Sequence, residues 1–342
     1  MSDILTYILF VVGFTLLMKG ADILVDGASS LAKRMHVSNL IVGLTIVAFG
    51  TSTPEFFVNI FASIDGNAGI GIGNIFGSNI ANVLLVLGVA SIIYPLPVQR
   101  NTVLSEIPFS LTAVILVGFV ANTVIFFDTS SYTKSIYQSL YISRLDGIFL
   151  LLFFFLFLGY IFKITNEQSY QEKIDDIMGK KHEESEPEMK IFSLTKSTIY
   201  IIVGITALFV GGQWVVDGAV LISKSFGLSD SFIGLTIIAV GTSLPELVTS
   251  ATAAYKKNTD IAVGNVVGSN IFNLLWILGI SAIIKPMPFD VISNIDIMVV
   301  ILSSAMLLFA MTLGKKYVLE RWNGIIFLVV YIAYIVFLID RG

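Results

Sequence analysis

The chain has 342 residues, of which 56% are hydrophobic and 13% are charged, and its formal net charge is −4. A soluble domain cannot hide that much apolar surface in one core, and so small a net charge suggests no nucleic-acid partner. Cysteine is absent, which excludes disulfides and thiolate metal sites. The composition predicts a polytopic membrane protein embedded in the lipid bilayer.

Apolar runs long enough to cross a bilayer, about 20 residues each, recur along the whole chain. The first run begins without a basic segment or a small-residue cleavage site, so we interpret it as a retained helix. Ten transmembrane helices are predicted at 4–33, 40–63, 69–94, 103–127, 146–162, 197–224, 231–254, 260–284, 292–313 and 323–340.

One long hydrophilic segment, residues 163–196, separates the fifth and sixth predicted helices. Its mixed charges and few apolar residues predict a mobile cytoplasmic linker, with a short surface helix around 167–178. The predicted division is therefore 1–127 for helices 1 to 4 of a first repeat, 128–162 for an outer loop and helix 5, 163–196 for the linker, and 197–342 for helices 6 to 10 of a second repeat.

The two halves of the chain repeat each other. A shift of 191 residues lays GLTIVAFGTSTPE (43–55) on GLTIIAVGTSLPE (234–246), and from Gly43 to Val98 the match has no gap, with 27 of 56 positions identical. Each half holds five predicted helices, an odd number, so equivalent helices cross in opposite directions. The prediction is an all-α fold of ten transmembrane helices in two inverted five-helix repeats, which is typical of secondary transporters with a midplane substrate site.

The distribution of Lys and Arg indicates the orientation. With both termini outside, the cytoplasmic helix ends carry more basic residues than the outer ends, even without the linker. The cytoplasmic set is Lys33, Arg34, Arg100, Lys256, Lys257, Lys315, Lys316 and Arg321, and the outer set is Lys134, Arg144, Lys224, Lys285 and Arg341. We expect a protein of the plasma or inner membrane with both termini extracytoplasmic.

Two glutamates, Glu55 and Glu246, lie at equivalent positions near the middle of predicted helices. An ionisable residue there costs at least ~2.5 kcal/mol on insertion scales and is a candidate functional group. Pro54 and Pro245 precede them, and a proline inside a helix removes a hydrogen bond and clashes with the preceding turn. We predict a kink at each proline, with carbonyl oxygens freed toward a cavity.

Uncharged polar side chains accompany each glutamate at helical spacing. Thr51 and Ser52 share a helix face with Glu55. The others are Asn74, Ser78 and Asn82 in the next predicted helix, and the second half repeats the set as Thr242, Ser243, Asn265, Ser269 and Asn273. Every candidate ligand atom is oxygen, which suits Ca²⁺, whereas soft transition metals prefer His or Cys. Two carboxylates would neutralise one divalent ion, and the surplus oxygens would hold Na⁺ ions in its place.

Other interpretations remain open at this point. The same residues would serve an exchanger that couples H⁺ to Ca²⁺ or to another divalent cation, or, in a different class, a cation channel with the glutamates as its selectivity element. An enzyme is not expected, because no nucleophile with its base accompanies the glutamates, and no cofactor is expected. Structural roles are favoured for Asp26, Asp217, Glu106 and Asp296, which lie near predicted helix ends.

GTSTPE with GNIFGSNIAN in the first half, and GTSLPE with GNVVGSNIFN in the second, resemble the paired alpha repeats of the sodium/calcium exchanger family within the cation/Ca²⁺ exchanger superfamily. The resemblance spans nearly the whole chain and implies electrogenic Na⁺/Ca²⁺ antiport by alternating access, in a protein that functions as a monomer. Asn273 stands where some members, including potassium-dependent ones and some prokaryotic ones, carry Asp, so the resemblance favours independence of K⁺. The proton/calcium branch has a different pattern, Gly-Asn-x-x-Glu, which argues against H⁺.

The resemblance also implies which positions bind the ions. Ca²⁺ at the central position would be held by Glu55, Glu246, Thr51 and Thr242. The flanking Na⁺ sites would use Ser52, Ser78, Ser243 and Ser269 with the carbonyls of Ala48 and Ala239, and Asn82 and Asn273 would lie beside the middle position.

Overall fold

The computed structural model describes residues 3–35, 37–123, 140–177, 191–225 and 239–341, and most of them are helical. In chain order the helices are α1 (Asp3–Met35), α2 (Asn39–Thr51), α3 (Thr53–Asp65), α4 (Ala68–Ile93), α5 (Thr102–Ala121), α6 (Arg144–Ile177), α7 (Leu194–Ser225), α8 (Ala239–Thr242), α9 (Leu244–Tyr255), α10 (Thr259–Ile284), α11 (Ser293–Thr312) and α12 (Arg321–Arg341). Four short strands are β1 (Leu96–Pro97), β2 (Tyr141–Ile142), β3 (Met287–Pro288) and β4 (Val318–Leu319).

Within these ranges, 8 helices are long and apolar enough to cross a membrane, and α2 with α3 makes a ninth span if the bent pair is counted as one. Large apolar side chains point outward, as Val11 and Met18 show at 66% and 68% exposed, and such surface suits contact with lipid. The prediction of an all-helical polytopic membrane protein is confirmed. The predicted run 231–254 is described only from Ala239 onward.

Helix α6 is longer than the sequence predicts. It runs without interruption from Arg144 to Ile177, beyond the predicted start of the linker at residue 163. Residues 163–177 contain no glycine or proline, so nothing in this stretch ends the helix. The predicted surface helix is thus mostly the continuation of a membrane span. The rest of the predicted linker up to residue 190, with His182, lies outside the described residues, as does His36.

Two short antiparallel ribbons join the halves of the chain. β1 pairs with β4, which places Leu96 opposite Leu319, and β2 pairs with β3, which places Ile142 opposite Met287. All four side chains are buried. Because the ribbons satisfy backbone groups just beyond the helix ends, they hold the two halves together at the loops as well as in the bilayer.

Helices α1 and α7 pack along each other. They come close at glycines, and a Cβ added to Gly204 would lie 2.8 Å from the Gly20 carbonyl oxygen. Small residues permit this approach between membrane helices. With 33 and 32 residues, the two helices are long enough to cross the bilayer at a tilt.

Helices α4 and α10 are the most enclosed of the spans. Each contains one π-helical turn, Asn82–Val86 in α4 and Phe272–Ile277 in α10. The turn in α4 packs against α9, and the turn in α10 packs against α3. Such turns occur frequently at functional sites because they redirect side chains within a helix. Helices α3 and α9 therefore both pack against the enclosed helices α4 and α10 at the centre of the molecule.

Candidate cation site

The helix is interrupted at the same place in both halves. Ser52 separates α2 from α3, and Ser243 separates α8 from α9, with backbone angles φ −81°, ψ 10° and φ −87°, ψ 6°. Pro54 and Pro245 occupy the first turn of the following helix, where a missing N–H leaves no bond unmade. In the first half the two segments are bent by 48°, so the kink predicted at Pro54 is confirmed.

The break does not leave the Ala48 carbonyl free. Its oxygen accepts a hydrogen bond from the Ser52 N–H at 3.0 Å and another from the Thr51 hydroxyl at 3.3 Å. Ala48 itself is 1% exposed. Its counterpart Ala239 is the first residue of α8. In the arrangement seen here the Ala48 oxygen is satisfied mainly by the Ser52 N–H, and the Thr51 hydroxyl, which donates at 2.9 Å to Asn265, is its weaker partner.

Each glutamate is bonded by a serine from the opposite half. The Ser52 hydroxyl donates to Glu246 Oε1 at 2.9 Å, and the Ser243 hydroxyl donates to Glu55 Oε1 at 3.4 Å. The glutamates are 1% and 0% exposed. The two breaks thus face each other, and each supplies a donor to the carboxylate of the other.

A second serine, from the same half, bonds the same carboxylate oxygen. Ser78 donates to Glu55 Oε1 at 3.3 Å, and Ser269 donates to Glu246 Oε1 at 3.4 Å. The other oxygen of each glutamate, Oε2, is buried and has no hydrogen-bond partner in the described part of the chain. Each carboxylate therefore keeps one oxygen available for a ligand.

The threonines also bond across the halves. The Thr51 hydroxyl donates to Asn265 Oδ1 at 2.9 Å, and Asn74 Nδ2 donates to the Thr242 hydroxyl at 3.2 Å. Asn265 donates in turn to the Glu246 carbonyl at 3.4 Å. The polar side chains predicted from the repeat are therefore brought into one network around the glutamates.

Asn82 and Asn273 lie in the π-helical turns, next to this network. Asn82 Nδ2 donates to Asn270 Oδ1 at 3.1 Å. Asn273 is completely buried, and neither its oxygen nor its nitrogen has a hydrogen-bond partner among the described residues. Each turn packs against the helix that carries the glutamate of the other half. A buried amide with both ends unbonded is costly, which marks the Asn273 position as one that a ligand or water would satisfy.

Sequence reasoning missed three side chains and one backbone carbonyl of this network. Asn59 donates to the Glu55 carbonyl and to Asn74 Oδ1, both at 2.9 Å, and Ser250 accepts from Asn265 at 2.9 Å. Asn79 and Asn270 lie between the halves, where Asn270 Nδ2 donates to the Asn79 carbonyl at 3.4 Å. Asn59 follows Glu55 by one helical turn, and Asn79 and Asn270 are equivalent in the repeat, so both signals were present in the sequence.

The remaining intramembrane acids have partners elsewhere. Glu106 accepts from the Tyr160 hydroxyl at 3.0 Å. Asp296 accepts from Arg341 at 3.0 and 3.3 Å and from Tyr334 at 3.1 Å. These two carboxylates hold α5 to α6 and α11 to α12.

The central network contains two acidic side chains and, within the described residues, no basic one. The carboxylates of Glu55 and Glu246 are close enough to repel each other, and neither forms an ion pair within the described residues. The described residues also contain no cluster of three or more His, Cys, Asp or Glu side chains close enough together to hold one metal ion. The arrangement combines two carboxylates with hydroxyl and amide oxygens, a donor set suited to a hard cation.

Comparison with known proteins agrees with this chemistry. The family model described as sodium/calcium exchanger protein matches residues 5–163 and 196–339. The sodium/calcium exchanger MaX1 of Methanosarcina acetivorans is 32% identical over 349 residues, which cover 97% of this chain and 98% of MaX1. The inner membrane protein YrbG of Escherichia coli is 35% identical over 282 residues, or 82% of this chain and 81% of YrbG. A solved structure of the sodium-calcium exchanger NCX_Mj aligns with a TM-score of 0.77 at 31% identity, covering 98% of this chain and 99% of that one. The chain belongs to the sodium/calcium exchanger family.

Proposed function

We propose that this chain is an electrogenic Na⁺/Ca²⁺ antiporter that works by alternating access and does not require K⁺. The observation that carries the proposal is the pair of buried glutamates, each bonded on one oxygen by serines of both halves and unbonded on the other. Two buried carboxylates without a cationic side chain are expensive to keep ionised. A bound cation removes that cost.

Ca²⁺ would occupy the position between the glutamates. In this proposal Glu55 and Glu246 supply the two negative charges and Thr51 and Thr242 supply neutral oxygens. The unbonded Oε2 atoms are the first ligands available to the ion. Ca²⁺ accepts six to eight oxygens without rigid geometry, so a site assembled from two halves suits it.

Na⁺ would bind at flanking positions when Ca²⁺ is absent. The proposed ligands are Ser52, Ser78, Ser243 and Ser269, the carbonyls of Ala48 and Ala239, and, beside the middle position, Asn82 and Asn273. A serine hydroxyl donates to a carboxylate when no cation is present, and it can rotate to offer a lone pair when one arrives. The serine–glutamate bonds are thus compatible with both states of occupancy.

We also propose the topology that the repeat predicts. Ten helices would form two inverted five-helix repeats, 1–127 with 128–162 and then 197–342, joined by a cytoplasmic linker at 163–196. Both termini would lie outside the plasma or inner membrane, and one chain would be sufficient for transport. The support is the equivalence of the breaks at Ser52 and Ser243, which the repeat places 191 residues apart.

The proposal is tested by radiolabelled Ca²⁺ flux in proteoliposomes with an imposed Na⁺, K⁺ or H⁺ gradient. We expect a Na⁺ gradient alone to drive Ca²⁺ movement. Glu55→Gln and Glu246→Gln should each reduce the flux by about a hundredfold or more, because each removes a buried charge that pairs with the ion. Glu106→Gln is the matched control, since it changes a buried glutamate outside the network, and its flux should stay near the wild-type level.

Other outcomes would contradict specific parts of the proposal. Flux driven only by a proton gradient would identify an H⁺-coupled exchanger, and a requirement for K⁺ would refute the inference from Asn273. Ca²⁺ movement without any counter-ion, at single-channel conductances, would identify a channel. Undiminished flux in both glutamine variants would remove the site assignment.

A further inference from the structure

Lys256 ties α1 to the turn that follows α9. Its Nζ lies 2.7 Å from Asp22 Oδ1 and 2.7 Å from Asp26 Oδ1, and it also donates to the Asp22 carbonyl at 2.9 Å. Asp22 and Asp26 are one helical turn apart on the same face of α1. One ammonium group therefore bridges two acids on a helix that also packs along α7 and against α9.

The same end of α1 has a second polar attachment to this turn. Asn258 Nδ2 donates to the Ser29 hydroxyl at 2.8 Å, and Ser29 donates to the Val25 carbonyl at 2.7 Å. We call Lys256, Asn258, Asp22, Asp26 and Ser29 the polar latch. Together these residues close the interface between α1 and the α9–α10 turn on one face of the protein.

The other repeat cannot form this latch. At the positions 191 residues away, Gln213 replaces Asp22, Val220 replaces Ser29 and Asp65 replaces Lys256. Asp217 is the counterpart of Asp26, so an acid would face an acid there, and like charges repel. Gln213 instead donates to Asp217 within its own helix at 2.9 Å. The repeat is thus asymmetric at the positions that close one face.

The counterparts of the latch line an open space. A cavity of about 810 Å³ lies between α7 and α3, and its wall includes Gln213, Asp217 and Val220. Phe57 of α3 and Thr242, which belongs to the central network, also line it. Val58 of α3 lies in the same wall, whereas its counterpart in α9 on the latched face, Thr249, is completely buried. Among the described residues the cavity therefore reaches the network at Thr242, whereas the equivalent position on the latched face is enclosed.

We propose that the polar latch is the device that closes one entrance to the cation site, and that it must open in each transport cycle. The inference rests on the proposed alternating-access function and assigns Lys256 a positioning role in it. The side chain of Lys256 is 26% exposed, and those of Asp22 and Asp26 are 46% and 49% exposed. Ion pairs screened by solvent to this degree are weak, which lets the closed state form and break reversibly.

The natural absence of cysteine makes the test direct. Thr249→Cys places a single thiol behind the latch, and Val58→Cys places one at the equivalent position in the cavity wall. The rate of reaction with a water-soluble maleimide is measured for each in purified protein. Each thiol is combined with Lys256→Ala, with Lys256→Arg, and with Lys315→Ala as the control, since Lys315 is an exposed lysine 3.9 Å from its acid.

The expected result is protection of Cys at 249 and reaction of Cys at 58 in the otherwise unchanged chain. Lys256→Ala should raise the rate at 249 by roughly fivefold, the effect of losing two partly exposed ion pairs. Lys256→Arg should restore protection, and Lys315→Ala should leave it intact. The double variant Asp22→Asn/Asp26→Asn should reproduce the effect of Lys256→Ala from the other side of the contact.

The latch would be overturned if the thiol at position 249 reacted at the same rate in all these variants. It would also be overturned if Lys256→Arg and Lys315→Ala raised that rate as much as Lys256→Ala does. Failure of Cys at 58 to react in the unchanged chain would overturn the open cavity. These readouts need no ion flux. Absence of Na⁺-driven flux would therefore refute the proposed function alone, whereas normal flux with unchanged labelling would refute the latch alone.

Discussion

The buried glutamates are each bonded on only one side of the carboxylate. Two serine hydroxyls share Oε1, and Oε2 is left without a partner in the described residues. An unbonded buried carboxylate oxygen is destabilising, so the protein gives up stability here that a cation would return. Glu106 also has an unbonded Oε2, so Glu55 and Glu246 are distinguished by forming a pair that serines of both halves bond.

Removal of a single serine hydroxyl should weaken the binding of Na⁺ more than the binding of Ca²⁺. Ser52→Ala deletes the donor to Glu246 at 2.9 Å without changing charge or helix geometry. Because serine is a proposed Na⁺ ligand and not a Ca²⁺ ligand, we expect the Na⁺ concentration for half-maximal flux to rise by about tenfold, with a smaller change for Ca²⁺. A tenfold change corresponds to about 1.4 kcal/mol. This lies within the about 1–3 kcal/mol that the loss of one buried polar contact costs.

The control for this prediction is Ser63→Ala in α3, the helix that follows the break at Ser52. Ser63 is also buried, and its hydroxyl has no partner among the described residues. Equal effects of the two substitutions, measured in the same flux assay, would show that Ser52 has no specific role in Na⁺ binding.

The residue types of the site were predictable, but their pairing was not. The doubled GTS and PE motifs and the Asn/Ser stripe identified the glutamates, threonines and serines, because such groups are rare in membrane helices. That Ser52 bonds Glu246 and not Glu55 depends on how the two breaks face each other across the molecule. No local spacing encodes that contact between residues 194 positions apart.

At the scale of helices, the breaks were visible in the sequence and the π-helical turns were not. Proline fixes where α3 and α9 begin. The turns Asn82–Val86 and Phe272–Ile277 consist mainly of ordinary apolar helix formers, and nothing in such residues distinguishes a π-helical turn from an α-helical one. Their position is set by packing against the broken helix of the other half.

Helices α11 and α12 are joined by a buried ion pair whose loss should be measurable. Arg341→Gln leaves Asp296, which is 6% exposed, without its two guanidinium bonds. We expect the free energy of unfolding to fall by about 1–3 kcal/mol, because the buried carboxylate loses its two charged donors and keeps only the Tyr334 hydroxyl. The change would be seen as a lower melting temperature of the purified protein in detergent.

A second substitution tests the cause. Adding Asp296→Asn to Arg341→Gln removes the uncompensated charge, so part of the melting temperature should return. Lys315→Ala, which breaks only an exposed contact of 3.9 Å, should leave the melting temperature unchanged. No recovery in the double variant would argue against the charge as the cause.

For the molecule as a whole, the proposed inverted topology requires an odd number of membrane crossings in each half. A reporter enzyme that works only outside the cytoplasm should be active when fused after the last residue and inactive when inserted between residues 178 and 190. Activity at both places would mean an even number of crossings between them, which is incompatible with a second repeat of five helices. Activity only at 178–190 would reverse the orientation.

The overall architecture was largely predictable because hydrophobic length and an internal repeat are strong signals. The end of α6 was not, since the sequence changes from apolar to polar at residue 163 while the backbone continues as a helix to Ile177. The change from apolar to polar residues indicates where the chain leaves the bilayer, whereas helix propensity indicates where the helix ends. In α6 these two points differ by several turns.

The crossed serine–glutamate bonds also have a consequence for descent. A chain with this repeat is most simply a duplicated segment, yet each copy holds a carboxylate that has one of its two serine donors in the other copy. A substitution at Ser52 acts at Glu246, and one at Ser243 acts at Glu55. The two copies are therefore free to diverge at the equivalent positions Asn59 and Ser250, which bond within their own halves. At Ser52 and Ser243 neither copy can change without altering the hydrogen bonds of the glutamate in the other copy.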